Sequence, residues 1–440
     1  MTPIVAIVGR PNVGKSTLFN RLTGKRLAIV HDAPGVTRDR HYADAHVHGR
    51  DITLIDTGGF DPDTDDPMGQ GIARHVRAAI AEADVVICVL DGSAPPTQAD
   101  REAVQLLRRS EKPVIYAANK ADSDRRAQEA TELYELGIDR LILISALHGR
   151  GTAELEATLR EALPARQEDT GASDPGELPR IALLGRPNAG KSSLFNRLTG
   201  SERSLVDARP GTTRDPVDSV VSFEGKDFVL VDTAGVRKKP KVDRGVESAS
   251  VIRALRMVER AEVVILMVDG SEGLAEQDAR LLGLCTDRGR AVIIGLNKAD
   301  LLDKQGLKRA RDDARDAVRF AGFAPVVELS AKTGRGVRAL LDEVWRAREE
   351  FYRRVPTGEL NRFFEQVLAE RPPPTRGGRA PRIYYITQAQ TAPPVFVAMS
   401  NAPGQIDKSY QRFVVNQIRK SFGFSAVPIK VVYRQRGDRS

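Results

Sequence analysis

The chain repeats itself over most of its length, and this repeat constrains its fold more than any other feature. GRPNVGKSTLFNRLTG at 9–24 returns, with two differences, as GRPNAGKSSLFNRLTG at 185–200, which is 176 residues later. PGVTRD and LIDTGG return at the same distance as PGTTRD and LVDTAG. Because a repeat that keeps both its wording and its spacing folds the same way twice, we predict two copies of one domain.

Within each copy, short apolar runs alternate with amphipathic stretches. In the first copy VVICVL is followed by a helical stretch from Thr97 to Arg109 and then by the apolar run PVIYAANK. This alternation is typical of an α/β fold, a doubly wound and largely parallel sheet with helices on both faces. We predict such domains over residues 1–163 and 180–351. The aperiodic stretch between them, residues 164–179, is rich in Pro, Gly, Ser and acidic residues and is predicted to be a flexible linker.

Residues 352–440 lack the repeated motifs and have a different pattern. A helix around Leu360 to Ala369, two strand-like runs, a helix from Tyr410 to Phe422 and a last strand predict the order α-β-β-α-β, a small α+β domain. Tyr384, Tyr385 and Phe396 alternate with apolar neighbours, so we assign all three to the core of this domain rather than to base stacking.

Charge and composition limit the class of protein. The chain has 440 residues, 41% of them hydrophobic, as expected of a folded globular protein. Residues 352–440 carry fifteen Lys/Arg against five Asp/Glu, whereas the net charge of the whole chain is +8. This basic segment favours an anionic partner such as RNA. The N-terminal sequence resembles no secretory leader and no apolar run has membrane-spanning length, so we expect a cytoplasmic monomer with no membrane partner. Cys88 and Cys285 lie in or beside apolar stretches and are predicted to be buried, inert thiols.

Each copy contains the phosphate-binding pattern GxxxxGK[ST] between an apolar strand and a helix. Backbone N–H groups of such a P-loop surround phosphate oxygens, its Lys reaches the β- and γ-phosphates, and its Ser hydroxyl binds Mg²⁺. By itself the pattern would also fit many ATPases. The predicted nucleotide-binding residues of the two loops are Gly9, Arg10, Pro11, Asn12, Val13, Gly14, Lys15 and Ser16, and Gly185, Arg186, Pro187, Asn188, Ala189, Gly190, Lys191 and Ser192.

Two NKAD segments identify the base. A carboxylate that faces guanine accepts hydrogen bonds from its N1–H and its exocyclic amine, whereas adenine offers no such pair of donors. The repeated motif therefore favours GTP and GDP over adenine nucleotides. The Ser-Ala pairs at Ser145 and Ser330 fit the loop that backs the guanine. The predicted base-binding residues are Asn119, Lys120, Ala121 and Asp122, and Asn297, Lys298, Ala299 and Asp300.

Two further motifs are expected to sense the γ-phosphate. Asp56 and Asp232 would hold Mg²⁺ through water, and Thr37 and Thr213 would contact both the metal and the γ-phosphate. We predict Lys15, Thr37, Lys191 and Thr213 as the catalytic residues. The remaining nucleotide-binding candidates, which follow the two aspartates, are Thr57, Gly58, Gly59 and Phe60, and Thr233, Ala234, Gly235 and Val236.

The order and wording of these motifs resemble the translation-factor-related GTPases. Two G domains followed by a basic C-terminal domain resemble the EngA/Der family over essentially the whole chain. The resemblance implies two P-loop NTPase-type G domains in tandem and a KH-like C-terminal domain. It also implies a GTPase that binds the large ribosomal subunit and its ribosomal RNA in a nucleotide-dependent manner and assists assembly of that subunit. Two alternatives are an accessory factor that binds RNA for an RNA-modifying enzyme, and a membrane-traffic GTPase, which the missing anchor disfavours.

The residue after each DTGG or DTAG motif departs from the Ras-type pattern. Phe60 and Val236 are apolar and cannot orient water as the glutamine of Ras-type GTPases does. In related GTPases with an Asn in the P-loop, a bound K⁺ supplies charge in the transition state, and Asn12 and Asn188 stand at the matching position. We therefore expect K⁺-stimulated hydrolysis. The alternative is that these asparagines only stabilise the loop.

Charged segments differ between the two G domains, and basic residues mark the candidate RNA contacts. DPDTDD at 61–66 is acidic, whereas RKKPK at 237–241 is basic and is either a solvated loop or a nucleotide-dependent contact with RNA or an acidic domain surface. The C-terminal domain lacks a GxxG between helices, which RNA-clamping KH domains require. The residues that we expect to contact RNA are Arg376, Arg379, Arg382, Arg419 and Lys420.

Overall fold

The computed structural model describes residues 2–24, 42–56, 76–77, 79–80, 83–165, 178–200, 218–232, 247–374 and 381–435. The chain forms two compact units. One unit holds the described residues up to 165 together with 247–256, and the other holds 178–232 and 257–435. None of the helices in these ranges is long and apolar enough to cross a bilayer.

The first G domain is a six-stranded sheet with helices around it. The strand order is β2-β3-β1-β4-β5-β6, and only β2 runs antiparallel to its neighbour. Its central strands are buried along their whole length, as expected for a sheet that is covered on both faces. The elements are β1 Ile4–Val8, α1 Lys15–Thr23, β2 Tyr42–Val47, β3 Arg50–Asp56, β4 Val85–Asp91, α2 Gln98–Arg108, β5 Val114–Asn119, α3 Asp124–Glu129, β6 Leu141–Leu143 and α4 Thr152–Ala162.

Local signals set the bounds of these helices. The predicted stretch from Thr97 to Arg109 forms α2, and Thr97 caps it by accepting a hydrogen bond from the Asp100 N–H while Asp100 accepts one from the Thr97 N–H. Helix α1 begins directly after Gly14, whose left-handed backbone turns the P-loop into the helix.

The second G domain has the same topology. Its sheet order is β12-β11-β10-β7-β9-β8, and β8 is antiparallel to β9. The elements are β7 Arg180–Leu184, α5 Lys191–Thr199, β8 Ser219–Phe223, β9 Lys226–Leu230, α6 Glu247–Arg260, β10 Val263–Asp269, α7 Glu276–Asp287, β11 Ala291–Asn297, α8 Lys304–Ala317, β12 Val326–Glu328 and α9 Val337–Tyr352.

The C-terminal domain has the predicted order α-β-β-α-β. Strand β14 lies in the centre of a three-stranded sheet, antiparallel to β13 and parallel to β15. One face of this sheet packs on the helices through a core that includes Phe364, Phe396 and Phe424. The elements are α10 Thr357–Glu370, β13 Ile383–Gln390, β14 Val395–Ser400, α11 Lys408–Phe422 and β15 Lys430–Gln435.

A buried carboxylate joins the C-terminal domain to the second G domain within one compact unit. Glu350, near the end of α9 and 2% exposed, accepts hydrogen bonds from the Ser425 N–H, the Ser425 hydroxyl and the Ala426 N–H at 2.6, 2.6 and 2.9 Å. The carbonyl of Ala426 accepts a hydrogen bond from the Val292 N–H in β11. Because these buried polar groups satisfy one another across the joint, the two domains are expected to move together.

Candidate nucleotide-binding sites

Glycine is required at two positions of each P-loop. Gly9 and Gly14 have φ of +151° and +95°. A Cβ on Gly9 would lie 2.3 Å from the Val89 carbonyl oxygen, and one on Gly14 would lie 2.2 Å from the Asn119 Nδ2. The second G domain has the same crowding at its equivalent glycines. The loops therefore fold tightly against the strand ends, and their backbone is placed to approach phosphates closely.

The P-loop asparagines have left-handed backbone. Asn12 has a φ of +63° and Asn188 a φ of +65°. Asparagine tolerates this region better than most residues other than glycine. Backbone conformation is thus a sufficient reason for asparagine at both positions, which agrees with the loop-stabilising alternative.

The two P-loop lysines fold back over their loops. The Lys15 ammonium donates to the Arg10 carbonyl at 2.8 Å, and the Lys191 ammonium donates to the Gly185 and Arg186 carbonyls at 2.6 Å each. Burial lowers the pKa of Lys15, with the Asp56 carboxylate opposing it, and lowers the pKa of Lys191 to about 8. Each ammonium group therefore lies against backbone carbonyls of its own P-loop.

The two predicted Mg²⁺ sites differ. The Ser16 hydroxyl donates to the Asp56 carboxylate at 2.6 Å, so two hard oxygen donors of the first G domain lie together at the end of β3. This donor set fits Mg²⁺. Strand β9 ends earlier, at Leu230, and Asp232 has a φ of +51°.

A second carboxylate holds Asp232 in place. The Asp232 N–H donates to Asp218 at 3.1 Å, and Asp218 pairs with the guanidinium groups of Arg180 and Arg260 at 2.7 and 2.8 Å. The Asp218 side chain is fully buried. In the second G domain, the backbone of the metal-binding candidate is therefore fixed by a buried ion-pair cluster.

The first residue of each NKAD motif is a brace between two loops. The Asn119 amide donates to the Val13 carbonyl of the P-loop at 2.7 Å and accepts from the Ala146 N–H at 2.8 Å. Asn297 makes the same pair of bonds to Ala189 and Ala331, at 2.8 and 2.9 Å. Each asparagine therefore fixes the P-loop relative to the Ser-Ala loop.

The aspartate of each NKAD motif accepts a hydrogen bond from a nearby serine. Hydrogen bonding to Ser145 lowers the pKa of Asp122, and hydrogen bonding to Ser330 lowers the pKa of Asp300. Both carboxyl groups therefore stay ionised, as acceptance from two guanine N–H donors requires. The serine of each Ser-Ala pair thus contacts the aspartate of the NKAD motif in its own domain.

The lysine of each NKAD motif is held by an aspartate that sequence reasoning missed. Lys120 has a φ of +72°, and its ammonium contacts Asp91 at 2.7 Å, while Lys298 pairs with Asp269 in the same way. Both aspartates end a central strand. Their spacing of 178 residues, the same as that of the two NKAD motifs, was the signal that would have identified them.

A second pair of missed aspartates holds the P-loop arginines. Arg186 contacts Asp278 at 2.8 Å, and Arg10 lies 3.4 Å from Asp100. These arginines thus orient the loop through the first turns of α7 and α2.

Several predicted residues lie outside the described ranges: Thr37, Thr57, Gly58, Gly59, Phe60, Thr213, Thr233, Ala234, Gly235 and Val236, and the segments 61–66 and 237–241.

One prediction for the C-terminal domain is wrong, and a second residue is more buried than its predicted role suggests. Tyr384 and Tyr385 are 48% and 46% exposed rather than in the core, because a β-bulge interrupts the alternation of β13, whereas Phe396 is fully buried as predicted. Arg419, a predicted RNA contact, is half-buried and already has partners within the protein. Its guanidinium donates to the Val427 carbonyl at 2.8 Å and lies over the Phe323 ring, 4.3 Å from its centroid.

The remaining RNA candidates are consistent with a surface role or lie outside the described ranges. Arg382 and Lys420 are exposed. Arg376 and Arg379 belong to residues that the structure does not describe.

Both cysteines are buried as predicted, and burial raises the pKa of the Cys88 thiol to about 12.

Comparison with known proteins identifies the family of the repeated domain and of the C-terminal domain. Residues 4–120 and 180–298 each match the family model described as a 50S ribosome-binding GTPase. Residues 354–434 match the KH-domain-like C-terminal region of EngA bacterial GTPase enzymes.

Full-length relatives carry one name. The GTPase Der of Moorella thermoacetica is 45% identical over 441 residues, and that of Geobacter sp. strain M21 is 43% identical over 438, with 99% of both chains covered in each case. Among solved structures, Aquifex aeolicus Era bound to GDP·AlF₄⁻ is 21% identical, covering 59% of this chain and 93% of Era with a TM-score of 0.31. On the strength of the family models and the full-length relatives, the chain belongs to the Der (EngA) family of GTPases, and its two G domains bind and hydrolyse GTP.

Proposed function

We propose that this protein is a GTP-gated assembly factor for the large ribosomal subunit, acting in the cytoplasm as a monomer. The observation that carries the proposal is the buried joint at Glu350, which ties a guanine-nucleotide domain to a basic KH-like domain. A nucleotide-dependent change in the second G domain would be transmitted to the KH-like domain through this joint. The net positive charge of residues 352–440 complements the negative charge of ribosomal RNA, which is the anionic partner that we propose.

We assign the nucleotide contacts to the two P-loops, the two NKAD motifs and the segments that follow Asp56 and Asp232. Lys15 and Lys191 would stabilise charge on the transferred phosphoryl group, and Thr37 and Thr213 would complete each site with the triphosphate. Ser16 and Asp56, and their equivalents Ser192 and Asp232, would hold Mg²⁺. The metal supplies charge neutralisation between the β- and γ-phosphates.

We also propose that K⁺ stimulates hydrolysis. The apolar residues Phe60 and Val236 cannot orient water as a glutamine does, and the side-chain oxygens of Asn12 and Asn188 are donors of the type that K⁺ accepts. Because the left-handed backbone at both asparagines is already a reason for their presence, the ion itself has to be tested. Steady-state GTPase rates are measured in matched K⁺ and Na⁺ buffers. We expect faster hydrolysis in K⁺, and equal rates would contradict this proposal.

The basic segment at 237–241 is proposed to contact ribosomal RNA in one nucleotide state. A triple substitution of Lys238, Lys239 and Lys241 by Ala should weaken binding to the subunit while GTP affinity stays unchanged. The acidic segment at 61–66 in the first G domain is the matched control, because neutralising it removes charge of the opposite sign from the equivalent position.

Co-sedimentation with purified ribosomal subunits tests the main proposal. The full chain is mixed with large or small subunits in the presence of GDP or of a non-hydrolysable GTP analogue. We expect binding to the large subunit with the analogue and loss of that binding with GDP. Equal binding in both nucleotide states would contradict gating by GTP. Absence of binding in both states would contradict the large subunit as the partner.

A further inference from the structure

The sheet of the KH-like domain has one face that does not contribute to its core. Along β14, Phe396, Ala398 and Ser400 are buried against the helices, whereas Val397 and Met399 point to the opposite side. Those two outward residues are half-buried and are not part of the domain core. Both described helices of the domain, α10 and α11, contribute to the core on the buried face, and neither of them covers the opposite face.

The strand register sets side chains of this outward face in rows. Tyr385 lies opposite Met399, and Met399 lies opposite Arg434. The next row is Thr387, Val397 and Val432. Because adjacent strands are about 4.8 Å apart, each row brings an aromatic or polar side chain, an apolar side chain and, in the first row, a guanidinium close together.

A β-bulge gives this face two neighbouring tyrosines. The register of β13 against β14 shifts between Ile383 and Tyr385, so one extra residue is inserted into β13. A regular strand would turn consecutive side chains to opposite faces, but the bulge leaves both Tyr384 and Tyr385 about half exposed, at 48% and 46%. Consecutive tyrosines that are both half exposed on one strand offer a platform on which planar groups can stack.

The charged side chains on the three strands that form this sheet are all basic. Strands β13, β14 and β15 contain no Asp or Glu. Arg382 just before the tyrosines, and Lys430 and Arg434 on β15, are exposed. The Arg382 backbone is fixed, because its N–H donates to the Asn401 side chain at 2.6 Å and its carbonyl accepts from the Asn401 N–H at 3.1 Å.

We infer that this tyrosine platform, defined by Arg382, Tyr384, Tyr385 and Arg434, binds an unpaired segment of RNA. Bases would stack on the two rings and the phosphates would pair with the two arginines, which is how sheet platforms bind single strands without a GxxG clamp. An anionic ligand with flat apolar faces matches both features of the surface, whereas a duplex would offer phosphates but hide its base faces. The inference rests on the proposed ribosomal function and names the part of the RNA that the KH-like domain recognises.

Fluorescence anisotropy with a labelled single-stranded RNA of about 12 nucleotides tests the platform in the full chain. Since stacking of one base on an aromatic ring contributes about 1–3 kcal/mol, Tyr384→Ala and Tyr385→Ala should each raise the Kd by about 5- to 150-fold. Tyr384→Phe and Tyr385→Phe keep the rings and should bind within about twofold of the unsubstituted protein. Arg434→Ala should reduce the salt dependence of binding by about 0.7 in the log–log slope.

Matched controls separate stacking from misfolding. Tyr134→Ala removes an equally exposed tyrosine, 46% exposed, from the first G domain and should leave the Kd unchanged. GTP hydrolysis and the thermal unfolding temperature of every variant should match those of the unsubstituted protein. Duplex RNA of the same length should bind more weakly than the single strand and should not respond to the tyrosine substitutions.

Parallel co-sedimentation with large ribosomal subunits keeps the two proposals apart. If the unsubstituted protein binds subunits and the Tyr→Ala variants bind both subunits and single-stranded RNA equally well, the platform is overturned and the proposed function stands. If the unsubstituted protein binds single-stranded RNA through the tyrosines but does not bind subunits, the platform stands and the proposed function fails. Failure of the unsubstituted protein to bind single-stranded RNA overturns the platform in every case.

Discussion

At the scale of single residues, the asparagine of the NKAD motif has a second role that its motif does not reveal. The sequence predicts Asn119 and Asn297 as nucleotide-binding residues, but the structure shows each amide bonded to a P-loop carbonyl and to the Ser-Ala loop. The partners of Asn119 are 106 and 27 residues away in sequence. Spacing along the chain cannot identify such a bond, because only the closed fold brings the three loops together.

Substitution of either asparagine should impair its own G domain. Asn119→Ala leaves the Val13 carbonyl and the Ala146 N–H without their buried partner, which costs about 1–3 kcal/mol, and the P-loop loses its brace. We expect about a 5- to 150-fold loss of GDP affinity at the first site and none at the second, with the reverse for Asn297→Ala. Calorimetric titration of GDP resolves the two sites. Asn20→Ala, at an exposed asparagine of α1, is the control, and equal weakening of both sites would contradict the brace.

At the scale of elements, the alternation of apolar and polar residues and the spacing of the motifs predicted most of the helices and strands. The alternation in residues 352–440 gave the order of all five elements, and the stretch from Thr97 to Arg109 forms α2 with bounds one residue shorter at each end. The assignment of Tyr384 and Tyr385 to the core failed for a physical reason. A bulge adds one residue to β13, and the sequence IYYIT carries no glycine or proline that would have signalled it.

The joint between α9 and the KH-like domain should depend on one buried carboxylate. Glu350→Gln keeps the shape but offers only one acceptor oxygen to three donors and introduces two donors of its own, so we expect about 2 kcal/mol lower stability of the unit that contains this joint. Urea unfolding of the full chain, followed by near-UV dichroism of Trp345 on the same helix, measures the change. Glu349→Gln, at the exposed neighbour, should have no effect, and an equal loss for both variants would contradict the role of Glu350.

At the scale of the whole molecule, the repeat predicted two copies of one domain, and the structure shows two sheets of the same strand order that differ at the metal-binding candidates. Ser16 reaches Asp56 in the first domain, but Asp232 is held by Asp218 in the second. The positions equivalent to Asp218 and Arg180 in the first copy are Tyr42 and Ile4, so the cluster has no counterpart there. Identical motifs therefore predicted the shared chemistry, while residues outside the motifs set the difference between the copies.

The chain also carries one buried cysteine in each G domain, and this arrangement lets the opening of the two domains be measured separately. Cys88 lies in β4 and Cys285 in α7, in different compact units, and neither is exposed. Burial raises the pKa of both thiols, so the reactive thiolate form is strongly disfavoured while each domain is closed. A thiol reagent should therefore label each cysteine only when its own domain opens.

Weakening the joint at Glu350 should then expose Cys285 without exposing Cys88. Helix α7 packs on β11, and β11 is tied to the KH-like domain by the bond from Val292 to Ala426. Glu350→Gln should speed the labelling of Cys285 by about 30-fold, the factor that corresponds to 2 kcal/mol, while the rate for Cys88 stays within twofold. Mass spectrometry of the two labelled peptides gives both rates from one sample. Equal acceleration at both cysteines would mean that the two G domains open as one cooperative unit, and no acceleration at Cys285 would mean that the second G domain holds its core without the KH-like domain.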